Sequence, residues 1–154
     1  MKLIFLDIDG ILNCAASFRN LYSFPIDDDK VDLLAQIVEA TGAELVLSST
    51  WRSDFDSKMN IINKHGGAPE LVEKLKTRGL KLIGKTGNDV NRETEIRNFL
   101  WEFSKDHEVE SFIVLDDDVV HMPQLVKTNW NLGLTPHCVE KAIKMLNEVS
   151  NERN

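Results

Sequence analysis

Short, nearly uninterrupted apolar runs recur along this chain, and segments with helical periodicity separate them. A strand that is apolar at almost every position is typical of one buried on both faces of a sheet, so helices have to cover both sides. Strands that alternate with helices predict a parallel sheet. The predicted strands are Lys2–Leu6, Glu44–Leu47, Leu80–Ile83, Ser111–Leu115 and about Leu125–Thr128.

Four segments between and after these strands space their apolar residues as amphipathic helices do. Most of them start with residues that favour the first turn of a helix, namely acids, asparagine, threonine or proline. The predicted helices follow Asp27–Asp29, span 68–79 and 92–104 behind Asn91, and follow Thr135 and Pro136.

Length and composition place these elements in one domain. With 154 residues, of which 42% are apolar and 28% charged, the chain is long enough to bury a hydrophobic core without the help of disulfides or a structural metal. We therefore predict a single α/β domain over residues 1–150, followed by a polar tail at 151–154. The fold is predicted to be Rossmann-like, with three layers, a central parallel sheet of about five strands and no large cap domain.

Charge and cysteine content narrow the setting. The net charge of −7 argues against a broad basic surface for nucleic acid, but is compatible with a protein that handles only a strand end. No apolar stretch approaches the roughly 20 residues that span a bilayer, and "MKLIFLDIDG" lacks the pattern of a signal peptide. Cys14 and Cys138 are too few for a disulfide framework, so a cytoplasmic location without a membrane partner is predicted.

Chemically active side chains follow three of the predicted strands. Asp7, Asp9 and Gly10 follow the first strand, "SSTWR" (48–52) follows the second, and "DDD" (116–118) follows the fourth. Because the carboxyl ends of parallel strands meet at one edge of a sheet, these side chains are expected to lie close together. Carboxylates as near as those of D-x-D repel each other unless a cation or a proton lies between them.

Two basic residues join this edge of the sheet. Lys85 precedes the helix that Asn91 caps, and Arg92 occupies the positive first turn of that helix. Carboxylates offer the hard oxygen ligands that Mg²⁺ prefers, whereas hydroxyls and cations suit phosphoryl oxygens. The combination predicts a magnesium and phosphate site.

These motifs, in this order, resemble those of the haloacid dehalogenase-like phosphatases. The resemblance rests on "DIDGIL", on a serine directly after the second strand, on a cation that opens a later helix, and on "VLDDD", and it covers residues 2 to about 147. Three further stretches, "LVLSSTWR", "RETEIRNFL" and "NWNLGLT", more narrowly resemble the phosphatase domains of nucleic-acid end-repair proteins.

The resemblance implies a role for each matching residue. Asp7 is expected to be the nucleophile that forms an aspartyl-phosphate, and Asp9 the acid that protonates the leaving oxygen and then activates water. Ser48 is expected to hydrogen-bond a phosphoryl oxygen. Arg92 is expected to neutralise phosphate charge, with Lys85 as the alternative.

A metal shell and substrate contacts follow from the same resemblance. Mg²⁺ is expected to bind Asp7, the backbone carbonyl of Asp9, and Asp117 with Asp116 beside it; the sequence leaves open which of the last two is the ligand. The residues expected to contact substrate are Gly10, Asn13, Ser49 and Arg52.

The spacing between the motifs bears on the substrate. The gaps after Gly10 and within 53–79 are too short for a globular cap domain, so the site is expected to be open. An open, capless site resembles family members that act on macromolecular ends or that a partner closes. A phosphorylated nucleic-acid end or nucleotide is therefore the leading predicted substrate, and a small phosphorylated metabolite is the alternative.

Three other readings use similar residues. "GLKLIGKT" (79–86) matches the P-loop pattern, but its variable positions look like a strand rather than a phosphate-binding turn. A receiver-type switch needs its acceptor aspartate after a middle strand, where this chain has Ser48. A non-catalytic module that binds phosphate and magnesium is the remaining alternative. Separately, Trp51 and Trp130 are candidates for stacking on a base.

Overall fold

A computed structural model of the protein describes residues 1–20 and 23–148. The predicted tail at 151–154 and the domain boundary at 150 lie outside these residues. These residues form five strands and four α-helices, which alternate except that β5 directly follows β4, and two short 3₁₀ turns occupy Ala15–Ser17 and Thr50–Asp54. The elements are β1 (Lys2–Leu6), α1 (Asp28–Thr41), β2 (Glu44–Leu47), α2 (Ala68–Lys76), β3 (Leu82–Lys85), α3 (Arg92–Phe103), β4 (Ser111–Asp116), β5 (Leu125–Lys127) and α4 (Pro136–Glu148).

The five strands form one parallel sheet in the order β3-β2-β1-β4-β5. Helices α1, α2 and α4 pack on one face and α3 packs on the other, so the central strands are buried on both sides. Phe5, for example, is fully buried against α3, whereas its neighbour Leu6 faces the opposite helices. The predicted Rossmann-like α/β fold is confirmed, and the reason is the continuous apolar pattern of β1, β2 and β4.

The predicted start of the third strand is wrong by two residues. Leu80 lies in the turn that follows α2: its backbone N–H donates to the carbonyl of Leu75 at 2.9 Å after Gly79 takes a φ of +73°. Strand β3 begins only at Leu82 and ends at Lys85. The P-loop pattern at 79–86 is therefore divided between this turn and a strand, which excludes a phosphate-binding turn at that position.

The predicted helix starts are confirmed for α3 and α4. The side chain of Asn91 accepts a hydrogen bond from the backbone N–H of Thr94 at 2.8 Å, so α3 begins at Arg92. Helix α4 begins at Pro136, and the hydroxyl of Thr135 accepts from the N–H of Cys138 at 3.3 Å. Capping by Asn91 places Arg92 in the first turn of α3.

The segment between Gly10 and Asp28 forms a small flap rather than a cap domain. Of its described residues, only Ala15–Ser17 adopt regular structure, as a single 3₁₀ turn. Among the described residues, no globular cap domain covers the edge of the sheet beside this flap. Within 1–20 and 23–148, no helix has the length and apolar character needed to cross a membrane.

Candidate active site

Three carboxylates meet where β1 and β4 end. Asp7 directly follows β1, and Asp116 is the last residue of β4. The two strands are neighbours in register, and the backbone N–H of Asp7 donates to the carbonyl of Leu115 at 3.1 Å. Ligand oxygens of Asp7, Asp116 and Asp117 all lie within 4.8 Å of one another. Parallel pairing of two adjacent strands thus creates the acidic cluster.

The surroundings of this cluster oppose its ionisation. Burial, followed by the charge of Asp116, raises the pKa of Asp7 to about 8, although Arg92 acts in the opposite direction. Burial likewise raises the pKa of Asp116. A cation bound among these oxygens would remove the repulsion, and three hard carboxylate oxygens suit a divalent metal such as Mg²⁺. The donor set therefore fits the metal that the sequence predicts.

Asp117 lies directly over Gly10. A Cβ atom built on Gly10 would stand 2.4 Å from Oδ2 of Asp117, and the φ of Gly10 is +82°. Of the two candidate metal ligands, Asp116 is held by other groups: its Oδ1 accepts from the N–H of Asp118 at 3.0 Å and its Oδ2 lies 3.4 Å from Nε of Arg92. No comparable contact holds the Asp117 carboxylate among the described residues. Asp117 therefore has the freer oxygens.

Arg92 reaches the acidic cluster from the start of α3. Its guanidinium donates to the backbone carbonyl of Ser48 and, at 3.3 Å, to the Ser48 hydroxyl. Lys85 points elsewhere: its ammonium donates to the backbone carbonyls of Arg52 at 3.0 Å and Phe55 at 2.6 Å. Of the two candidate cations, Arg92 is the one that contacts the acidic cluster, and its catalytic role remains a prediction.

Ser49 and Arg52 have structural partners. The hydroxyl of Ser49 accepts from the N–H of Trp51 at 3.2 Å and caps the 3₁₀ turn. Arg52 pairs with Glu95 at 3.1 Å and also donates to the side chain of Asn88 at 3.2 Å. These contacts account for both side chains without a substrate, so their predicted substrate contacts remain untested.

The carboxylate of Asp9 accepts hydrogen bonds from two side chains. Asn13, which is fully buried, donates through Nδ2 to Oδ1 of Asp9 at 3.0 Å and accepts from the N–H of Gly10 at 2.8 Å. The indole Nε1 of Trp51 donates to Oδ2 of Asp9 at 3.2 Å. Trp51 is only 7% exposed, which leaves little of its ring for the predicted base stacking. Trp130, the other stacking candidate, is 41% exposed and packs against Phe18.

A groove of about 670 Å³ opens beside Asp9. One wall is the flap and the other is the 3₁₀ turn after β2. Its lining combines aromatic rings, one cation, two carboxylates and small polar side chains: Asp9, Phe18, Arg19, Asn20, Ser23, Phe24, Thr50, Trp51 and Asp54. Sequence reasoning missed the flap residues because they have no periodicity; the aromatic and basic residues near the D-x-D motif were the available signal.

Two further residues that the sequence did not single out support the site. Glu95 is 5% exposed and lies between Arg52 and Arg92, at 3.1 and 3.8 Å. The hydroxyl of Thr128 donates to the carbonyl of Gly10 at 2.6 Å and ties the first loop to the end of β5. Glu95 stands three residues after Arg92, a common helical ion-pair spacing, but its burial was not visible in the sequence.

A parallel five-stranded sheet with an acidic cluster and an arginine at its carboxyl edge is an arrangement suited to binding a metal ion and a phosphoryl group. Residues 3–139 match the model of a family described as the HAD domain in Swiss Army Knife RNA repair proteins, and the chain belongs to this family. This confirms the predicted likeness to haloacid dehalogenase-like phosphatases. Membership implies hydrolase activity of the phosphatase type in general. No curated protein and no solved structure gives a significant match.

Proposed function

We propose that this protein is a magnesium-dependent phosphomonoesterase that acts through an aspartyl-phosphate on Asp7. The observation that carries the proposal is the placement of Asp7 within 4.8 Å of Asp116 and Asp117, with Arg92 bound to Ser48 on the adjoining side. A nucleophilic carboxylate, a metal shell and two phosphate-binding side chains thereby share one edge of the sheet.

The metal would be held by Asp7, Asp117 and the backbone carbonyl of Asp9, with Asp116 as a further carboxylate. When bound, Mg²⁺ supplies positive charge that offsets the repulsion between these carboxylates and an anionic phosphate. Arg92 and Ser48 would donate hydrogen bonds to the phosphoryl oxygens. Their donors are preorganised, since α3 and β2 fix their positions before substrate arrives.

The reaction would proceed in two displacements. An oxygen of the Asp7 carboxylate attacks phosphorus, the bond from phosphorus to the ester oxygen breaks, and the Asp9 carboxyl gives its proton to that oxygen, so that an alcohol leaves. The Asp9 carboxylate then takes a proton from water while the water oxygen attacks phosphorus. The bond to Asp7 breaks, inorganic phosphate leaves, and both side chains return to their starting states.

We propose a phosphorylated end of a nucleic acid, or a nucleotide, as the substrate. The groove beside Asp9 is open, and Phe18, Phe24 and Arg19 offer aromatic and cationic contacts of the kind that bases and phosphodiesters use. The family's description as part of RNA repair proteins favours RNA among these ends. Small phosphorylated metabolites are the second candidate.

Phosphate release from a substrate panel tests the proposal. The panel contains 4-nitrophenyl phosphate, nucleoside monophosphates, sugar phosphates, and RNA and DNA oligonucleotides phosphorylated at the 3′ or 5′ end, each with Mg²⁺ and with chelator. We expect Mg²⁺-dependent release by the wild type and none by Asp7→Asn. Asp118→Asn is the matched control, because Asp118 is exposed and, within 1–20 and 23–148, its carboxylate accepts only from the N–H of Val119 at 2.8 Å.

The outcomes separate the candidate functions. Preference for an oligonucleotide end supports the nucleic-acid proposal, and preference for a sugar phosphate supports the metabolite alternative. Binding of phosphorylated ligands without release, by protein that a thermal melt shows to be folded, would replace the enzyme by a phosphate-binding module.

A further inference from the structure

We infer that Trp51 and Asn13 are positioning residues that hold the Asp9 carboxyl in the orientation needed to protonate the leaving oxygen. The inference rests on the proposed function, in which Asp9 transfers that proton. It assigns to Trp51 and Asn13 a part in the reaction that requires no contact with substrate.

The two N–H donors bind different oxygens of the same carboxyl group. Trp51 Nε1 lies 3.2 Å from Oδ2, and Asn13 Nδ2 lies 3.0 Å from Oδ1. Two such contacts fix both the position of the group and the plane in which it lies. Each oxygen keeps a second lone-pair direction, so a proton can still be carried toward substrate.

Both donors are themselves immobilised. The Trp51 ring presses on Gly67, where an added Cβ would stand 2.4 Å from Cη2, and the backbone N–H of Trp51 is held by Ser49. The side chain of Asn13 also accepts a hydrogen bond through Oδ1 from the N–H of Gly10 at 2.8 Å and donates through Nδ2 to the carbonyl of Pro25 at 3.0 Å. Because neither donor is free to follow a displaced carboxyl, they determine where Asp9 points.

The same donors connect Asp9 to the flap. The Phe24 ring packs edge-on against Trp51, with ring centroids 6.1 Å apart, and the Pro25 carbonyl binds Asn13. Phe24 and Trp51 also line the groove beside Asp9. A leaving group seated in this groove therefore lies against the residues that orient its proton donor.

The leaving group provides a sharp test of the inference. A 4-nitrophenolate ion departs without a proton, whereas the alcohol of a nucleotide or sugar phosphate needs one. Rates are measured with 4-nitrophenyl phosphate and with the best alkyl ester of the panel, for wild type and Trp51→Phe, which keeps an aromatic ring but loses the N–H. We expect kcat/KM, which reports the first displacement and not the later hydrolysis of the aspartyl-phosphate, to fall by about tenfold or more for the alkyl ester and to change little for the aryl ester.

For each variant, the rates with the alkyl and the aryl ester are measured on the same preparation and divided. A smaller fraction of folded protein lowers both rates equally and leaves their ratio unchanged. Trp101→Phe is the matched control, since Trp101 is 72% exposed on α3. Asn13→Ala removes the other donor and should shift the ratio in the same direction. It also keeps the inference testable if Trp51→Phe fails to fold.

Each result is decisive. An unchanged ratio in both variants would show that the two side chains support only the fold, even if their absolute rates fall. Wild type that hydrolyses only the aryl ester would contradict the inference too, because Asp9 would not then act as an acid. If the wild type hydrolyses neither ester in Mg²⁺, the proposed function itself is wrong. This outcome is seen with the wild type alone, so it is distinguishable from failure of the inference.

Discussion

Gly10 and Asp117 occupy adjoining space at the carboxyl edge of the sheet, with only 2.4 Å between the Asp117 Oδ2 atom and the place where a Cβ of residue 10 would be. The glycine therefore allows the acidic loop after β4 to close over the loop after β1. A side chain at residue 10 would push apart the two loops that bring Asp7 and Asp117 together.

Gly10→Ala should accordingly weaken both the fold and the metal site. The Cβ meets Asp117, and the φ of +82° costs an alanine roughly 1–2 kcal/mol. We expect a lower free energy of unfolding in urea and a higher Mg²⁺ concentration for half-maximal activity. Gly87→Ala is the control, since no atom lies within 4 Å of the place that its methyl group would take. Wild-type Mg²⁺ dependence in Gly10→Ala would show that Asp117 is not needed near residue 10.

The raised pKa of Asp7 links the stability of the metal-free protein to pH. Burial, then Asp116, raises this pKa from its ordinary 3.8 to about 8. Between these values the unfolded chain has lost the proton that the folded protein keeps, so the free energy of unfolding falls as pH rises, by up to about 1.4 kcal/mol per pH unit. In chelator, the melting temperature should be several degrees lower at about pH 8.5 than at about pH 5.5.

Two comparisons assign this pH dependence to Asp7. Asp7→Asn has no carboxyl to titrate and should show a weaker decline, whereas Asp118→Asn should decline as the wild type does. Mg²⁺ should raise the melting temperature most at the higher pH, where Asp7 is ionised and free to bind it. The same decline in wild type and Asp7→Asn would contradict the raised pKa.

Arg92 and Lys85 should respond differently to substitution. Arg92→Ala removes the guanidinium beside Ser48 and Asp116, and we expect kcat to fall by about 100-fold or more. Lys85→Met removes the donor to two backbone carbonyls, so its main effect should be a loss of roughly 1–3 kcal/mol in unfolding free energy. Steady-state kinetics and urea unfolding of both variants give the comparison. A larger kcat loss in Lys85→Met would reverse the assignment.

Removing the charge of one partner in the buried ion pair between Glu95 and Arg52 should lower the free energy of unfolding. The two side chains are 3.1 Å apart and 6% and 14% exposed. Glu95→Gln leaves the arginine charge uncompensated, and we expect a loss of roughly 3 kcal/mol in urea unfolding. Adding Arg52→Gln should cost less than the sum of the single changes. Glu102→Gln, in an exposed pair with Lys105, should have little effect, and a similar loss there would contradict the role of burial.

Local sequence features were enough to predict most of the strands and helices and the edge of the sheet at which the candidate site lies. Continuous apolar runs identified the buried strands, and Asn91 and Thr135 marked helix starts correctly, because periodicity and capping act over a few residues. The motif residues stand at the ends of strands that were predicted to be parallel, so they were expected at one edge of the sheet; the pairing of β1 with β4, which brings Asp7 to Asp116, came from the structure. These features depend on local chemistry and on one topological rule.

Tertiary structure alone decided which side chains act together. The sequence offered both Arg92 and Lys85 as the cation of the site. Of these two, only Arg92 contacts Asp116, because the ammonium of Lys85 donates to the backbone carbonyls of Arg52 and Phe55. The contacts of Asn13 and Trp51 with Asp9 were equally invisible in the sequence. Side-chain direction depends on how distant segments pack, and burial converts a polar residue from a solvent-facing group into one whose partners are fixed.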